Sequence, residues 1–280
     1  MILISENIFL IVLGVVWIIG AILQDLRRRE VDNVWNFSLI AIALGYRLSM
    51  GIFIGDYWFF TNGLIGFGIF LVLGNLFYYS RMFAGGDAKL LIALGAILPL
   101  SFSWIINFKI FGLFILGSFL GGAIYVFIWS LVLVFLNFKG FKKEYSRLFN
   151  KHKSLFLMSL ILFVFWIIFS FVVGSSFAFI GLIFLLFPIL FVFAKSVENS
   201  CMVKKVSPFK LTEGDWLYEK IYIKGKVIKP NWEGVSKEEL KLIREKYRRK
   251  ILVKYGVPFT PAFLIGFLGV LGISLWLGWI

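Results

Sequence analysis

Apolar stretches of about 20 residues recur along the chain, and they constrain the fold more than any other feature. A helix needs about 20 apolar residues to cross the hydrocarbon core of a bilayer. With 60% hydrophobic residues, the chain lies far outside the composition of soluble globular proteins. The sequence therefore predicts an all-α polytopic membrane protein with about eight transmembrane helices. The predicted spans are 8–23, 35–54, 58–79, 88–106, 111–138, 155–173, 177–194 and 259–280.

The basic residues fall on one side of this predicted topology. With the N-terminus outside, the cytoplasmic segments are 24–34, 80–87, 139–154 and 195–258. Together with Lys89, just inside the fourth span, they hold all of the 29 Lys and Arg residues except Arg47 and Lys109. Such an excess is typical of cytoplasmic loops, so the pattern predicts a multi-pass protein of the cell membrane. Contact with anionic membrane lipids accounts for the net charge of +14 without a nucleic-acid partner.

The same pattern divides the chain into three parts. They are a transmembrane bundle at 1–194, a basic cytoplasmic insert at 195–258 and a final transmembrane helix at 259–280. The insert is the one sizeable polar region of the sequence. Its middle, 216–228, alternates like β-strands around Gly225, which predicts a small region of mixed structure.

The end of the insert has the pattern of an amphipathic helix. Ser236 and Glu239 fit a capping box, and apolar residues follow at helical spacing as far as Ile251. Gly256 and Pro258 then end the predicted helix. Its opposite face is basic, which suits a membrane surface, an anionic partner or a solvated face over a small core.

The sequence excludes several kinds of catalytic site. The chain has one cysteine, Cys201, and one histidine, His152. It therefore has neither a cysteine-based zinc site nor the HExxH motif of zinc peptidases, and no serine has a histidine within the membrane as its base. The sequence contains no Walker-type phosphate loop. No metal ion or organic cofactor is expected.

Two carboxylates remain as candidates for chemistry at the membrane edge. Asp25 ends the first span in QDLRRREVDN, and Asp87 opens the fourth in AGGDAKLL, both on the predicted cytoplasmic side. Two carboxyl groups held close together cannot both ionise cheaply, so they share a proton near neutral pH. The ionised group can take a proton from water while the protonated one hydrogen-bonds the scissile carbonyl group. This is aspartic peptidase chemistry, with either residue as the base.

Residues next to this pair are suited to bind a substrate. Gly85 and Gly86 lack a Cβ atom, so an extended peptide could approach their backbone closely. Asp32 is close enough in sequence to support Asp25 or to bind a positive charge on the substrate.

Simpler roles for both aspartates stay open at this point. Asp25 could pair with the adjacent arginines, and Asp87 could cap a helix that Lys89 joins in its first turn. A transporter could use the two acids to bind a cation or relay protons, but it predicts carboxylates near the bilayer midplane and inverted repeats, which the sequence does not display. A membrane scaffold could use the insert to bind partners, and it predicts that neutralising the aspartates has no effect.

Two stretches resemble the signatures of the type IV prepilin peptidases, a family of GxGD membrane aspartic peptidases. Residues 25–33, an aspartate followed by arginines and a final asparagine, look like the first signature, which ends in I-P-N. Residues 85–96, GGDAKLLIALGA, resemble the second, GxGD followed by a lysine and an apolar helix. Ala84 stands at the first glycine position, and EVDN at 30–33 replaces the I-P-N ending.

The chain lacks the paired cysteine motifs of bacterial members and resembles the archaeal branch, which processes preflagellins and pilin-like precursors. The resemblance covers 8–125 and is looser from about residue 200 onward. It implies an aspartic endopeptidase that removes the short basic leader of such precursors at the cytoplasmic membrane face, with Asp25 and Asp87 as catalytic residues. The predicted substrate-binding residues are Gly85, Gly86, Asp32, Asn33 and Lys89.

Overall fold

The computed structural model describes residues 2–223, 226–231 and 233–280, which are mostly helical. The helices are α1 (Ile2–Arg28), α2 (Asn33–Ile54), α3 (Trp58–Tyr79), α4 (Gly85–Leu94), α5 (Trp104–Leu136), α6 (Phe138–Lys151), α7 (Lys153–Val173), α8 (Ala178–Ser200), α9 (Lys237–Lys246) and α10 (Thr260–Trp276). The strands are β1 (Val203–Val206), β2 (Trp216–Leu217), β3 (Ile221–Ile223), β4 (Lys226–Ile228) and β5 (Ile251–Lys254). Two short 3-10 turns lie at Ser175–Phe177 and Pro208–Lys210.

The chain folds as two compact units. The first consists of Met1–Phe127 and Pro258–Ile280, and the second of Ile128–Val257. The predicted boundary at residue 194 falls inside the second unit, which joins the last two long apolar helices to the insert. The C-terminal helix, predicted as a separate part, belongs to the first unit.

Six of the described helices are long and apolar enough to cross a membrane, so the chain is a helical polytopic membrane protein. They correspond to α1, α2, α3, α5, α7 and the segment that ends with α8. The other two predicted spans, 88–106 and 259–280, are not confirmed as spanning helices. α4 has 10 residues and α10 has 17, both fewer than the roughly 20 that a spanning helix needs.

A buried arginine explains why α4 is short. After Leu94 the chain continues as turns and irregular backbone up to Trp104, and Pro99 lacks the N–H that a continuing helix would use. Arg47 of α2 is fully buried and donates to carbonyl groups of this segment and of α3. Its bonds reach the oxygens of Ala96 (2.9 Å), Ile97 (3.0 Å), Pro99 (2.6 Å) and Phe59 (3.1 Å). Irregular backbone inside a membrane protein needs internal partners of this kind.

Glycines let α3 and the α4 segment pack backbone against backbone. A Cβ atom built on Gly66 would lie 2.5 Å from the Gly95 carbonyl oxygen, and one on Gly95 would lie 2.8 Å from the Gly66 carbonyl oxygen. About two turns of α3 further on, a Cβ on Gly74 would lie 3.0 Å from the Ala88 carbonyl oxygen. Small residues at helix interfaces allow such close approach. α4 is consequently enclosed: Leu90 and neighbouring residues of this segment are fully buried.

The segment from α4 to α5 runs from one end of the first unit to the other. At its start, Lys89 Nζ bonds Asn33 Oδ1 at 2.6 Å, beside the α1–α2 connection. At its end, the Leu100 carbonyl oxygen accepts a bond from Asn7 Nδ2 at 2.7 Å, near the start of α1. This path matches the direction that the predicted fourth span would take, although a ten-residue helix and irregular backbone replace the long helix.

α10 packs into the first unit against α1 and α5. A Cβ atom built on Gly117 of α5 would lie 3.3 Å from Gly266 Cα, so the two helices touch at their backbones. At the start of α10, Phe259 and Phe263 lie 5.3 and 5.6 Å from the ring of Phe83, measured between ring centroids. The C-terminal helix is therefore held next to the loop that leads into α4.

The second unit combines an apolar helix hairpin with a small α/β region. α7 and α8 pack against each other, and α6 lies on α8, where the rings of Phe141 and Phe193 are 5.6 Å apart. A three-stranded antiparallel sheet has the order β1-β5-β2, with Val203 and Trp216 both opposite Lys254. β3 and β4 form a second, two-stranded sheet. Buried apolar side chains, including Ile243 of α9, form the core of this region.

Predictions for the insert have mixed outcomes. The capping box at Ser236 and Glu239 is confirmed, because both of its hydrogen bonds are present at the start of α9. The predicted length of that helix is wrong: α9 ends at Lys246, and Ile251 lies in β5. Burial alternates along β5, because successive side chains of a strand point to opposite faces and only one face covers the core. β1 and β2 pair with β5 on its two sides. Strands occur within 216–228 as predicted, and Gly225 lies outside the described residues.

Candidate active site

Asp25 lies in the last turn of α1, and its side chain is buried with 8% of its surface exposed. α1 ends at Arg28, and Arg29 adopts a left-handed conformation (φ 59°) that turns the chain towards α2. Thr260, the first residue of α10, donates its hydroxyl group to Asp25 Oδ2 at 2.9 Å and its backbone N–H to the same oxygen at 3.4 Å. The C-terminal helix therefore anchors the Asp25 carboxyl group.

Asp87 is the third residue of α4, outside the six long apolar helices. Ala84 is extended, and the helix starts at Gly85, so Asp87 lies in the first turn and the Ala84 backbone N–H bonds its carboxyl group. The side chain keeps partial solvent access. Burial by surrounding protein atoms, and secondly the nearby Asp25 carboxylate, raise the pKa of Asp87 to about 7, while the bond from Ala84 acts in the opposite direction. Asp87 therefore holds a proton near neutral pH.

Contacts between distant segments bring the two aspartates to one end of the first unit. Gly86, next to Asp87, lies against the α1–α2 connection: a Cβ atom on it would be 3.3 Å from the backbone nitrogen of Val31. Phe83, four residues before Asp87, packs on the rings of Phe259 and Phe263, next to Thr260. The two acids also interact electrostatically.

The predicted substrate-binding residues surround this site, and several already have partners within the protein. Lys89 and Asn33 are exposed and bond each other, which ties α4 to α2. Asp32 is exposed and forms an ion pair with Arg28 at 2.7 Å. Gly85 and Gly86 are both partly exposed, so a bound peptide could reach their backbone.

The site consists of two carboxyl groups with unequal surroundings. Asp25 accepts two hydrogen bonds from Thr260, both at Oδ2. Asp87 favours the protonated form near neutral pH. A pair of this kind can activate water and polarise a carbonyl group at the same time. Among the described residues, no group of three or more His, Cys, Asp and Glu side chains could hold a metal ion.

Sequence reasoning missed two residues beside Asp25. Thr260 is separated from it by 235 positions. A local signal existed, because Thr260 precedes a proline at the start of an apolar stretch in VPFTPAF, a pattern typical of helix starts. Tyr125 of α5 interacts electrostatically with Asp25, and no sequence pattern distinguishes it from other aromatic residues of that helix.

Residues 12–141 match the model of the Type IV leader peptidase family. The chain is 30% identical over 134 residues to the preflagellin peptidase of Methanococcus maripaludis, which is 45% of this chain and 57% of the relative. It is also 30% identical over 88 residues to the preflagellin peptidase of Methanocaldococcus jannaschii, covering 31% of this chain and 37% of the relative. The chain thus spans roughly half the length of these curated relatives, and no solved structure matches it.

The matched segment contains both aspartates with their flanking stretches, whereas Thr260 and α10 lie beyond it. The two motifs resemble the signatures of the type IV prepilin peptidases, and the family model and the relatives confirm this resemblance over a longer stretch of sequence. Residues 12–141 of the chain are thus similar to the type IV leader peptidase family.

Proposed function

We propose that the chain is a membrane aspartic endopeptidase that removes the short basic leader of preflagellin- or prepilin-like precursors. The observation that carries the proposal is the pair of Asp25 and Asp87, held at one end of the first unit within the segment that matches the family. Preflagellin peptidase is also the name of the two relatives. The two acids lie at helix ends, where an extended peptide can reach them more readily than in the middle of a helix bundle.

In this proposal, one carboxyl group starts each cycle protonated and the other ionised. The ionised group takes a proton from water, and the water oxygen attacks the scissile carbonyl carbon. The protonated group donates to the carbonyl oxygen as it becomes negative. The raised pKa of Asp87 supports such a division near neutral pH, because a shared proton must remain on the pair.

The proposed substrate lies as an extended segment along Gly85 and Gly86. Their partial exposure and lack of side chains leave space for a peptide backbone. Asp32 follows Val31, whose backbone nitrogen lies close to Gly86, and in this proposal its exposed carboxylate exchanges Arg28 for a basic residue of the leader. By resemblance to the family, cleavage follows a small residue just ahead of the precursor's hydrophobic helix.

The proposed orientation places the active site at the cytoplasmic face with the N-terminus outside. It follows from the position of the basic residues: Arg27, Arg28 and Arg29 end α1, and Lys89 follows Asp87 in the first turns of α4. Basic residues of this kind stay on the cytoplasmic side, where anionic lipids attract them.

The catalytic assignment is tested by expressing the protein in membranes with a basic-leader precursor and following leader loss by gel mobility. Asp25→Asn and Asp87→Asn should each slow processing by about 100-fold or more, because each removes an acid–base group from the reaction. Asp56→Asn is the matched control. Asp56 is an exposed residue in the α2–α3 connection whose carboxyl group bonds the Trp58 backbone N–H, and its substitution should leave processing unchanged.

Normal insertion of each variant must be shown by its amount in washed membranes. If either site variant inserts normally and still cleaves the precursor at the wild-type rate, the assignment is wrong. Loss of processing after truncation of the insert, with no effect of either aspartate, would instead favour the scaffold.

A further inference from the structure

The Asp25 carboxyl group is bound by a residue from the opposite end of the sequence. Thr260 is fully buried and begins α10. Its hydroxyl and its backbone N–H both donate to Oδ2 of Asp25, so Oδ1 takes no part in this anchor. The backbone N–H at a helix start has no partner within the helix, and here the aspartate supplies one.

The packing around Thr260 fixes its position. The rings of Phe259 and Phe263, on either side of Thr260 in the sequence, pack on Phe83. Phe83 lies just before α4, the helix that carries Asp87. Further along α10, the backbone at Gly266 contacts Gly117 of α5. A side chain on such a rigid element can hold a catalytic group within narrow limits.

The surroundings of the two aspartates differ in a way that assigns their roles. Asp25 has a hydroxyl donor, a backbone donor and the positive end of the α10 helix dipole, all of which favour a negative charge. Asp87 has one backbone donor, from Ala84. Asp87 of α4 and Tyr125 of α5 also interact electrostatically with Asp25, and repulsion between the two acids leaves the proton on the one with fewer donors.

We propose that Thr260 is a positioning residue that holds Asp25 as the ionised, water-activating member of the pair and leaves Asp87 as the protonated member. This inference rests on the proposed peptidase function and extends it to a residue outside the segment that matches the family. It also gives the C-terminal helix a role in the active site.

The proton inventory of the resulting cycle balances. Water gives a proton to Asp25 while its oxygen bonds the carbonyl carbon, and Asp87 gives its proton to the carbonyl oxygen, forming a gem-diol. Asp25 then gives its proton to the amide nitrogen as the C–N bond breaks, and Asp87 takes a proton from a diol hydroxyl group. The leader leaves with a new carboxyl group, and both aspartates return to their starting states.

Thr260→Val tests the inference, because valine keeps the shape of threonine and lacks the hydroxyl donor. Purified protein in detergent or vesicles is assayed with a basic-leader precursor over a range of concentrations. The variant should lower kcat by about 10-fold, the effect of losing a hydrogen bond to a charged group, with little change in KM. Thr260→Ser keeps a hydroxyl group and should recover most of kcat. Thr61→Val is the matched control, because the Thr61 hydroxyl bonds a local carbonyl group, that of Tyr57 just before its own helix.

A second measurement does not depend on peptidase activity. Thermal unfolding is followed for Thr260→Val in the presence of Asp25 and in an Asp25→Ala background. The substitution should lower the unfolding midpoint when Asp25 is present and have a much smaller effect when it is absent, because only the first background has a bond to lose. A purely steric role for Thr260 predicts equal effects in both backgrounds.

The outcomes separate this inference from the proposed function. If both aspartate variants lose processing but Thr260→Val processes like the wild type, the peptidase stands and the inference is overturned. It is also overturned if Thr260→Ser is as slow as Thr260→Val, or if the unfolding midpoints show no coupling to Asp25. If the aspartate variants keep full activity, the proposed function fails, and the inference fails with it.

Discussion

At the scale of single residues, the first unit buries the Arg47 side chain completely, and backbone groups distant in sequence satisfy its charge. Arg47 is one of three basic residues outside the predicted cytoplasmic segments, with Lys89 and Lys109, and it lies inside a long apolar helix. A cation there is expensive unless it is paired. Its partners are four carbonyl groups rather than a carboxylate, and those carbonyl groups need a donor because they belong mainly to irregular backbone.

Asp87 predicts a pH-dependent stability. Its pKa is raised from 3.8 to about 7, so between these pH values the folded protein holds a proton that the unfolded chain releases. The free energy of unfolding should therefore fall as pH rises through this window. Asp87→Asn does not titrate, so the variant should gain stability relative to the wild type from about pH 4 to 7, with no further gain above. Unfolding midpoints in detergent at a series of pH values measure this difference.

Asp56→Asn is again the control, since it leaves Asp87 in place and should keep the fall in stability that Asp87 causes between about pH 4 and 7. A constant difference between Asp87→Asn and the wild type over the whole range would show that Asp87 titrates near its ordinary value in the folded protein.

At the scale of elements, the short helix α4 depends on the helices that enclose it. It carries Asp87 in its first turn, and its position is set by close contact with α3 and by the bonds of Arg47 to the residues that follow it. A ten-residue helix is marginal by itself. Tertiary packing therefore decides both that α4 forms and where its first turn lies.

Gly66→Ala and Gly68→Ala form a matched pair that tests this packing. A Cβ atom on Gly66 would lie 2.5 Å from the Gly95 carbonyl oxygen and would also meet the ring of Pro99, whereas Gly68 has open space around it. Gly66→Ala should lower the free energy of unfolding by roughly 1–3 kcal/mol through overpacking. Gly68→Ala should be neutral or stabilising by about 0.5–1 kcal/mol, because alanine favours helix. Chemical unfolding of both variants in detergent gives the comparison, and equal effects would contradict the packing.

At the scale of the whole molecule, the first unit consists of two separate stretches of chain. Most of it precedes residue 128, and α10 returns to it after the entire second unit. The anchor of Asp25 therefore depends on the last helix of the sequence. A variant that lacks α10 would lose that anchor even though its family-matching segment is intact.

The proposed orientation can be tested by cysteine labelling, because Cys201 is the single cysteine of the chain. In a Cys201→Ser background, Asp56→Cys and Ser80→Cys each introduce one exposed thiol in the first unit, at opposite ends of α3. A membrane-impermeant maleimide added to intact cells should label Asp56→Cys and not Ser80→Cys, and inverted vesicles should give the reverse. The background protein without cysteine controls for unspecific labelling. Labelling of Ser80→Cys from outside would reverse the orientation.

The sequence by itself determined the features that depend on neighbouring residues. Hydropathy over about 20 residues located six long helices, and the capping box located the start of α9. Two short motifs made Asp25 and Asp87 the candidates for catalysis. Each of these signals is local, because helix length, caps and motif spacing are properties of a continuous stretch.

Only the tertiary structure decided the features that depend on residues far apart. It shortened the predicted fourth span to α4, because Arg47 binds the carbonyl groups that a longer helix would have used itself. It placed Ile251 in a strand between two others rather than at the end of α9. It also brought Thr260 to Asp25 across 235 positions. Hydrogen bonds between distant segments leave no periodic pattern in a sequence, so the partners of a buried polar group become known only when the helices are packed together.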